Sequence, residues 1–377
     1  MNSTLQIIAL PRASREVDRF LDLAYAIYGR DPHWVAPLLR DVKKTFSDAN
    51  PLFEHAEMQL WMASRDGRDV GRIAGIIDRH HNEFHRERTA FFGFFESVDD
   101  PAVSAKLFAA VAAWARPRGM TRLLGPMNPT TNDECGLLVD GFDSPPVFML
   151  TYNPRYYVPL VEAAGCTKAK DLLAYDFDLA SGPQERLGRF MHKFRRREPD
   201  VVITPILKKN LATQLAKIKT VYNQAWAENW GFVPMTDGEI DFLAGRLKPL
   251  VTEGLAMVAE TPQGPSGFLL AMPDFNEALQ PLRGRFLSPG LWRAIPYFLG
   301  AKRPKYLRCV TLGVVPQCRG RGIEAAMLSE VLNASLRLGF QRGEASWILE
   351  ENTAVQRVIG LFGGVVYKTY RIYECAV

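Results

Sequence analysis

The chain has 377 residues, 47% of them hydrophobic and 23% charged, with a net charge of +5. That length exceeds the roughly 250–300 residues at which one hydrophobic core stops growing, so two domains are expected. The composition excludes a disordered, collagen-like or fibrous chain, and the charge is too mild for a nucleic-acid-binding composition while suiting an anionic ligand or surface.

Residues 1–12 lack the n-region, h-region and cleavage site of a secretory leader. The longest strongly apolar run, 107–115, falls far short of the roughly 20 residues of a membrane span. The expectation is a cytoplasmic protein. Five cysteines, odd in number and scattered, signal neither a disulfide framework nor a zinc site.

Taken in chain order, the elements repeat. A helical pattern through Val17, Phe20, Leu21 and Ala24 leads into Asp31-Pro32-His33-Trp34-Val35-Ala36-Pro37, and Leu215, Ile218, Val221, Tyr222 and Ala225 lead likewise into Asn229-Trp230-Gly231-Phe232-Val233-Pro234. Two apolar runs around Asp66-Gly67 predict a β-hairpin, and so do the runs around Gly264; Gly71 and Gly267 stand 196 positions apart, as do Trp34 and Trp230. A further strand and helix follow in each half: 90–96 with Asp99-Asp100-Pro101 as N-cap signal, and 308–315 with Pro316. Five features in one order at nearly constant offset indicate duplication, with residues 1–180 and 181–377 as the two domains and the boundary near 180–183. Each half carries an insertion, 125–150 in the first and 278–305 in the second. The first is rich in turn formers and reads as a loop facing an acceptor pocket.

The most informative segment is Val310-Thr311-Leu312-Gly313-Val314-Val315-Pro316-Gln317-Cys318-Arg319-Gly320-Arg321-Gly322-Ile323, a strand, glycine turn and helix. Glycines give the backbone conformations closed to other residues, and the unpaired amides of a first helical turn attract phosphate. Arg319 and Arg321 add positive charge there.

This turn, followed by a strand, Glu351-Asn352 and a short helix, resembles the GNAT acyltransferase superfamily from Arg308 to Val377. The resemblance implies a mixed α+β fold of two tandem GNAT-like domains, each a mostly antiparallel twisted sheet with a parallel strand-helix-strand core and flanking helices. It implies that Arg319, Gly320, Arg321, Gly322 and Ile323 cradle the pyrophosphate of acetyl-CoA or a longer acyl-CoA. It further implies that Leu312, Gly313 and Val314 hold the pantetheine and thioester carbonyl, and that the Asn352 side chain contacts the donor. The first half, acidic at 97–101 where the second is basic, resembles a degenerate copy. Two positions depart from the family pattern: Glu324 replaces the turn's last Gly or Ala, and Ile359 stands where many members place a tyrosine that protonates the leaving thiolate.

An amine nucleophile must lose a proton before attacking a thioester. Glu350, at the end of an alternating strand over 343–350, is the candidate base, and Tyr367, Tyr370 and Tyr373 are possible acids, of which Tyr370 is taken as the candidate. The cluster Asp78-Arg79-His80-His81-Asn82-Glu83-Phe84-His85 reads as a strand end and loop, not a metal centre, and no metal is expected. Cys318 reads as a packing residue.

No acidic residue lies between Glu277 and Glu324, while the same stretch interleaves Arg283, Arg285 and Arg293 with Phe286, Leu287, Trp292 and Phe298. Such a pattern lies at a membrane interface or lids an apolar site. The chain as a whole is similar to bacterial GNAT-type proteins that acylate long-chain bases to ceramides. The reading is therefore an acyl-CoA-dependent N-acyltransferase that transfers an acetyl or longer acyl group to an amine; the insertion tilts the acceptor toward an amphiphilic or lipid amine, with peripheral contact at the inner membrane face through 282–305, and a small polar amine or an amino-acid α-amine stays open. The alternative is a non-catalytic acyl-CoA-binding or sensing protein.

Overall fold

The computed structural model describes residues 4–29, 31–181 and 184–377. Gly182 and Pro183, within the expected boundary, lie outside the described residues. The chain forms two compact units, one of Met1–Leu173, Asn276–Leu299 and Lys368–Val377, the other of Ala174–Phe275 and Gly300–Tyr367. These units cut across the linear halves 1–180 and 181–377, because the excursion after Asn276 and the C-terminal strand both pack with the first.

Chain order begins with β1 (Leu5–Leu10), α1 (Glu16–Tyr28), α2 (Leu39–Thr45), β2 (Ala56–Arg65) and β3 (Arg68–Asp78). Asp66 and Gly67 both take positive φ, the geometry of a two-residue hairpin turn whose twist matches its strands. Next come α3 (Arg79–His85), β4 (Thr89–Ser97), α4 (Pro101–Ala115), β5 (Arg122–Gly125), β6 (Met127–Asn128), β7 (Glu134–Cys135), β8 (Leu137–Asp140), α5 (Tyr157–Ala163) and β9 (Thr167–Asp178). Asp100 caps α4 as its sequence signals, accepting from Ala102 N at 2.8 Å. Val103, Leu107 and Val111 of α4 bury against β3, where Gly71 and Gly75 supply the room: a β-carbon at Gly71 would come 2.7 Å from Val103 Cγ1.

The rest of the chain is α6 (Gln184–Arg197), β10 (Val202–Pro205), α7 (Leu211–Ala225), α8 (Asp237–Leu247), β11 (Ala256–Thr261), β12 (Gly264–Pro273), α9 (Asn276–Leu279), α10 (Leu291–Phe298), β13 (Tyr306–Val314), α11 (Ile323–Arg337), β14 (Arg342–Leu349), α12 (Thr353–Leu361) and β15 (Val365–Ala376).

In the first unit the strand order is β1-β2-β3-β4-β5-β15, antiparallel except for the parallel pair β4/β5, with β8 also on β15. β15 joins through Tyr373↔Gly125 to Ala376↔Arg122, and a disulfide between Cys166 and Cys375 fixes it there. This corrects the expectation that no disulfide is present. Two corrections concern helix and strand content. The 125–150 insertion is not only a loop, since it carries β6, β7 and β8, and 79–85 is a helix, because the Asp78 carboxylate accepts from His80 N at 2.8 Å and starts α3. In the second unit the order is β10-β11-β12-β13-β14, antiparallel apart from the parallel β13/β14. Where α11 crosses β12, the buried Ile323 and Met327 pack over Gly267.

Candidate donor site of the second unit

The site forms where a parallel strand pair separates. β13 and β14 pair from Tyr306↔Arg342 to Cys309↔Ala345, and β13 bulges against β12 between Leu270 and Ala271. Beyond Cys309 the two strands are no longer paired, and residues 310–313 of β13 are half-exposed. Leu312 and Gly313 lie on this stretch, whereas Val314, at the end of the strand, is buried. Gly313 has a packing reason of its own: the Trp226 indole crosses it so closely that a β-carbon would sit 2.3 Å from Trp226 Cη2.

The strand ends in a short 3-10 turn at Pro316–Cys318, and the chain then passes through Gly320 (φ 75) and Gly322 (φ 87) into α11. Both glycines adopt the left-handed region that other residues avoid. Nothing lies within 4 Å of where a Gly320 β-carbon would be, so the turn presents open backbone at the positive end of a four-turn helix. Ile323 is fully buried and anchors that helix.

The two arginines are held by the protein. Arg319 donates through Nη2 to Ala225 O at 2.8 Å and lies 3.8 Å from the Glu228 carboxylate, while Arg321 donates from Nε to Glu198 Oε2 at 3.0 Å. That hydrogen bond keeps the Glu198 carboxyl below its ordinary range. Beside them, Arg197 at the end of α6 donates to Arg321 O at 2.5 Å, and Phe190 borders Gly322. Sequence reasoning missed Glu198, Arg197 and Phe190, because they precede the turn by more than a hundred residues.

Asn352 caps α12, its side-chain oxygen accepting from Val355 N at 3.3 Å. Glu350 is half-buried in the turn after β14, and its carbonyl accepts from Gln356 Nε2 at 2.9 Å. Ile359 is buried on α12, with Gly364 close against it. Tyr370 belongs to the first unit, fully buried on β15, where a β-carbon at Gly136 would come 3.1 Å from its Cβ. Glu350 and Tyr370 thus belong to different units.

One pair before the strands separate, Arg308 and Glu344 form a buried ion pair at 3.5 Å, with the Arg308 guanidinium 5.2 Å from the centre of the Trp347 ring. Burial, reinforced by the Glu344 charge, pushes the neighbouring Cys309 thiol up to about 12. Next along β14, Ser346 is buried, and its hydroxyl has no hydrogen-bond partner among the described residues. An orphaned buried hydroxyl at the point of separation, together with the open turn, fits an extended thioester substrate whose amides and phosphates supply the missing partners. Among the described residues no three His, Cys, Asp or Glu side chains converge as a metal-ligand set.

The first unit has the same strand geometry, but the space is filled. β4 and β5 pair only from Thr89↔Arg122 to Phe91↔Leu124, after which β6 crosses over Gly93, where a β-carbon would lie 1.7 Å from Met127 O. Asn128 Oδ1 then accepts from Phe94 N at 2.6 Å.

A sheet of this kind, with a parallel pair that separates beside a glycine turn at a helix start, is the GNAT fold, here in tandem. Solved structures agree on the fold. A tandem GNAT protein from the clavulanic acid biosynthesis pathway aligns over 99% of this chain and 98% of its own, with a TM-score of 0.61 at 13% identity. A GCN5-related glucosamine N-acetyltransferase region of a fungal multi-domain GH3 β-N-acetylglucosaminidase covers 99% of this chain and 38% of its own, with a TM-score of 0.57 at 13% identity. No family model matches the chain. Sequence relatives are nearer. The bacterial ceramide synthase of Caulobacter vibrioides is 36% identical over 382 residues, covering 100% of this chain and 98% of that protein, and Protein YghO of Escherichia coli is 33% identical over 367 residues, covering 95% and 92%. The chain belongs to the family of these two proteins and has the tandem GNAT fold.

Proposed function

We propose that the protein transfers an acyl group from acyl-CoA to the amine of an amphiphilic, long-chain acceptor. The observation that carries the donor half of this reading is the separation of β13 from β14 after Cys309↔Ala345, beside the Gly320–Gly322 turn. In it, the backbone from Gly320 to Ile323 binds the pyrophosphate, Arg319 and Arg321 contribute charge, and Leu312 to Val314 align the pantetheine and polarise the thioester carbonyl through a backbone N–H. Asn352 is assigned to the donor as well. The amine loses a proton to Glu350, directly or through water, and attacks the thioester carbon. A carbon–nitrogen bond forms, the carbon–sulfur bond breaks, and the leaving thiolate takes up a proton from water to depart as the thiol. The bacterial ceramide synthase among its relatives supports the choice of a long-chain amine over a small polar one.

The test is a thermal-shift titration with acetyl-CoA, a long-chain acyl-CoA and free CoA, run beside Gly322→Asp, because a ligand that binds only the native state raises the melting temperature. The expected result is saturable stabilisation, greatest with the long-chain thioester and lost in the variant, followed by N-acylated product with a long-chain amine detected by mass spectrometry. Stabilisation without product from any amine would favour an acyl-CoA-binding protein, the reading that Ile359 and Glu324 motivate.

A further inference from the structure

Five of the large apolar side chains most exposed in the protein belong to one short excursion of the first unit, Phe286, Leu287, Trp292, Phe298 and Leu299; Leu287 is 90% and Trp292 80% exposed. They form a patch, since the Phe286 and Phe298 rings meet at 5.8 Å, while α10 buries only Ala294. A patch of this density on a soluble surface marks an interaction site.

The excursion is seated firmly on its own unit. Gly284, at φ 76, presses on Tyr25 so closely that a β-carbon would come 2.2 Å from Tyr25 Oη. Its carbonyl accepts from Leu39 N at 3.2 Å, and Gln280 Nε2 donates to Pro32 O at 3.1 Å. Leu39 opens α2, whose exposed Arg40, Lys43 and Lys44 line a depression with Ser47. Lys44 keeps an ion pair with Asp41 at 2.8 Å, and Lys43 one with Asp18 at 2.5 Å. Arg283 and Arg285 flank the Gly284 contact, Arg293 follows on α10, and all three are exposed. The apolar patch therefore carries a cationic rim on its own strand of chain and a basic depression one residue from its anchoring bond.

We infer that this surface docks on an anionic phospholipid bilayer, with Leu287, Trp292 and Leu299 entering the acyl boundary and Arg40, Arg283, Arg285 and Arg293 meeting headgroup phosphates. The charge decides the partner. A second copy of the chain would bring like charges of the same rim together, and a neutral partner would leave them uncompensated, whereas an anionic leaflet attracts each basic residue near its surface. Apolar burial and electrostatic attraction then add, as in interfacial helices. The inference goes beyond transferase chemistry and needs neither donor nor acceptor.

The test is co-sedimentation of the full chain, with no donor or amine present, on phosphatidylcholine vesicles and on vesicles with phosphatidylglycerol as a third of the lipid. The protein should partition to the anionic vesicles at least about tenfold more strongly than to the neutral ones, and lose this advantage as salt rises. Leu287→Glu with Trp292→Glu should lower partition about tenfold or more, and Arg283→Glu with Arg293→Glu should abolish the preference for anionic lipid, with the melting temperature of each variant confirming that it is folded. Glycerol phosphate, a soluble headgroup, should not release the protein, because it offers no apolar layer. As a measurement independent of any variant, brominated acyl chains should quench tryptophan fluorescence of the native protein. Equal partition to both vesicles, no partition to either, undiminished binding of folded Leu287→Glu/Trp292→Glu, or release by glycerol phosphate would each overturn the inference. So would light scattering that shows a dimer converted to a monomer by the same pair, with no vesicle binding. Since donor binding is read separately by thermal shift, failure here leaves the transferase reading untouched.

Discussion

The backbone amide of Phe94 donates to Asn128 Oδ1 at 2.6 Å, and this bond gives the first unit's separated strands a ligand from their own chain. In the second unit the matching stretch, 310–313, is crossed by no such strand among the described residues and is half-exposed. The difference predicts one acyl-CoA per chain, measured by isothermal titration calorimetry; two equivalent sites would contradict it. Gly93→Ala should prevent stable folding, because its β-carbon would overlap Met127 O. Asn128→Ala should cost about 1–3 kcal/mol in urea unfolding by orphaning a largely buried amide, without creating a second binding site while β6 still covers Gly93.

Glu198 and Arg321 yield a second prediction. Their hydrogen bond at 3.0 Å holds the Glu198 carboxyl low, so at neutral pH a carboxylate stands beside the turn assigned to pyrophosphate. Glu198→Gln removes that negative charge and keeps a side chain of the same size. The dissociation constant for CoA should fall roughly two- to fivefold at low salt and converge on the native value at high salt, since the effect is screened electrostatics. Weaker binding by the variant would mean that Glu198 acts chiefly by orienting Arg321.

How much of this was legible in the sequence depends on the distance over which each feature is specified. The turn from Arg319 to Ile323 and the start of α11 were readable because glycine, proline and helix-start signals act within a few residues. The hairpins β2/β3 and β11/β12 and the Asp100 cap follow for the same reason. Partners that meet only through tertiary packing carry no local signal: Glu198 reaches Arg321 across 123 positions, Trp226 lies over Gly313, and Cys166 finds Cys375 across 209. The helix at 79–85 was missed because its sequence lacks apolar periodicity; the Asp78 cap, readable from the Asp alone, was the available clue. Arg308 and Glu344 each look like ordinary strand charges, and only the register of β13 on β14 pairs them.

His81 gives a pH dependence. Burial first, then the nearby His85, lowers its pKa to about 4 from 6.5, against opposing contributions from Glu87 and Asp78. A histidine kept neutral in the native state binds its proton more readily when unfolded, so its contribution is fully present above about pH 6.5 and is lost as pH falls towards 4. The loss should approach about 3 kcal/mol at most. Denaturant unfolding of the native protein and of His81→Leu, measured between pH 7 and pH 4, should show the native curve falling more steeply. Parallel curves would mean that His81 titrates normally.

The disulfide between Cys166 and Cys375 ties β15 to the turn before β9 and closes a loop with a sequence separation of 209. In the chain-entropy account a loop this long restricts the unfolded state by up to about 5 kcal/mol, and native disulfides typically contribute about 2–5. Cys375→Ser should therefore lower stability by about 2–5 kcal/mol in denaturant, with little change when the native protein is first treated with reductant and then compared. The remaining cysteines sharpen the test. Cys135 and Cys318 are buried, and the Cys309 thiol is pushed up to about 12, so the folded protein should react slowly with a thiol reagent at pH 8. Denatured without reductant, it should expose three thiols, from Cys135, Cys309 and Cys318. Five thiols under those conditions would show that the bridge does not form, and β15 would then be held in the first unit by its pairing with β5 and by the buried Lys368, whose Nζ donates to Ser144 O at 2.8 Å.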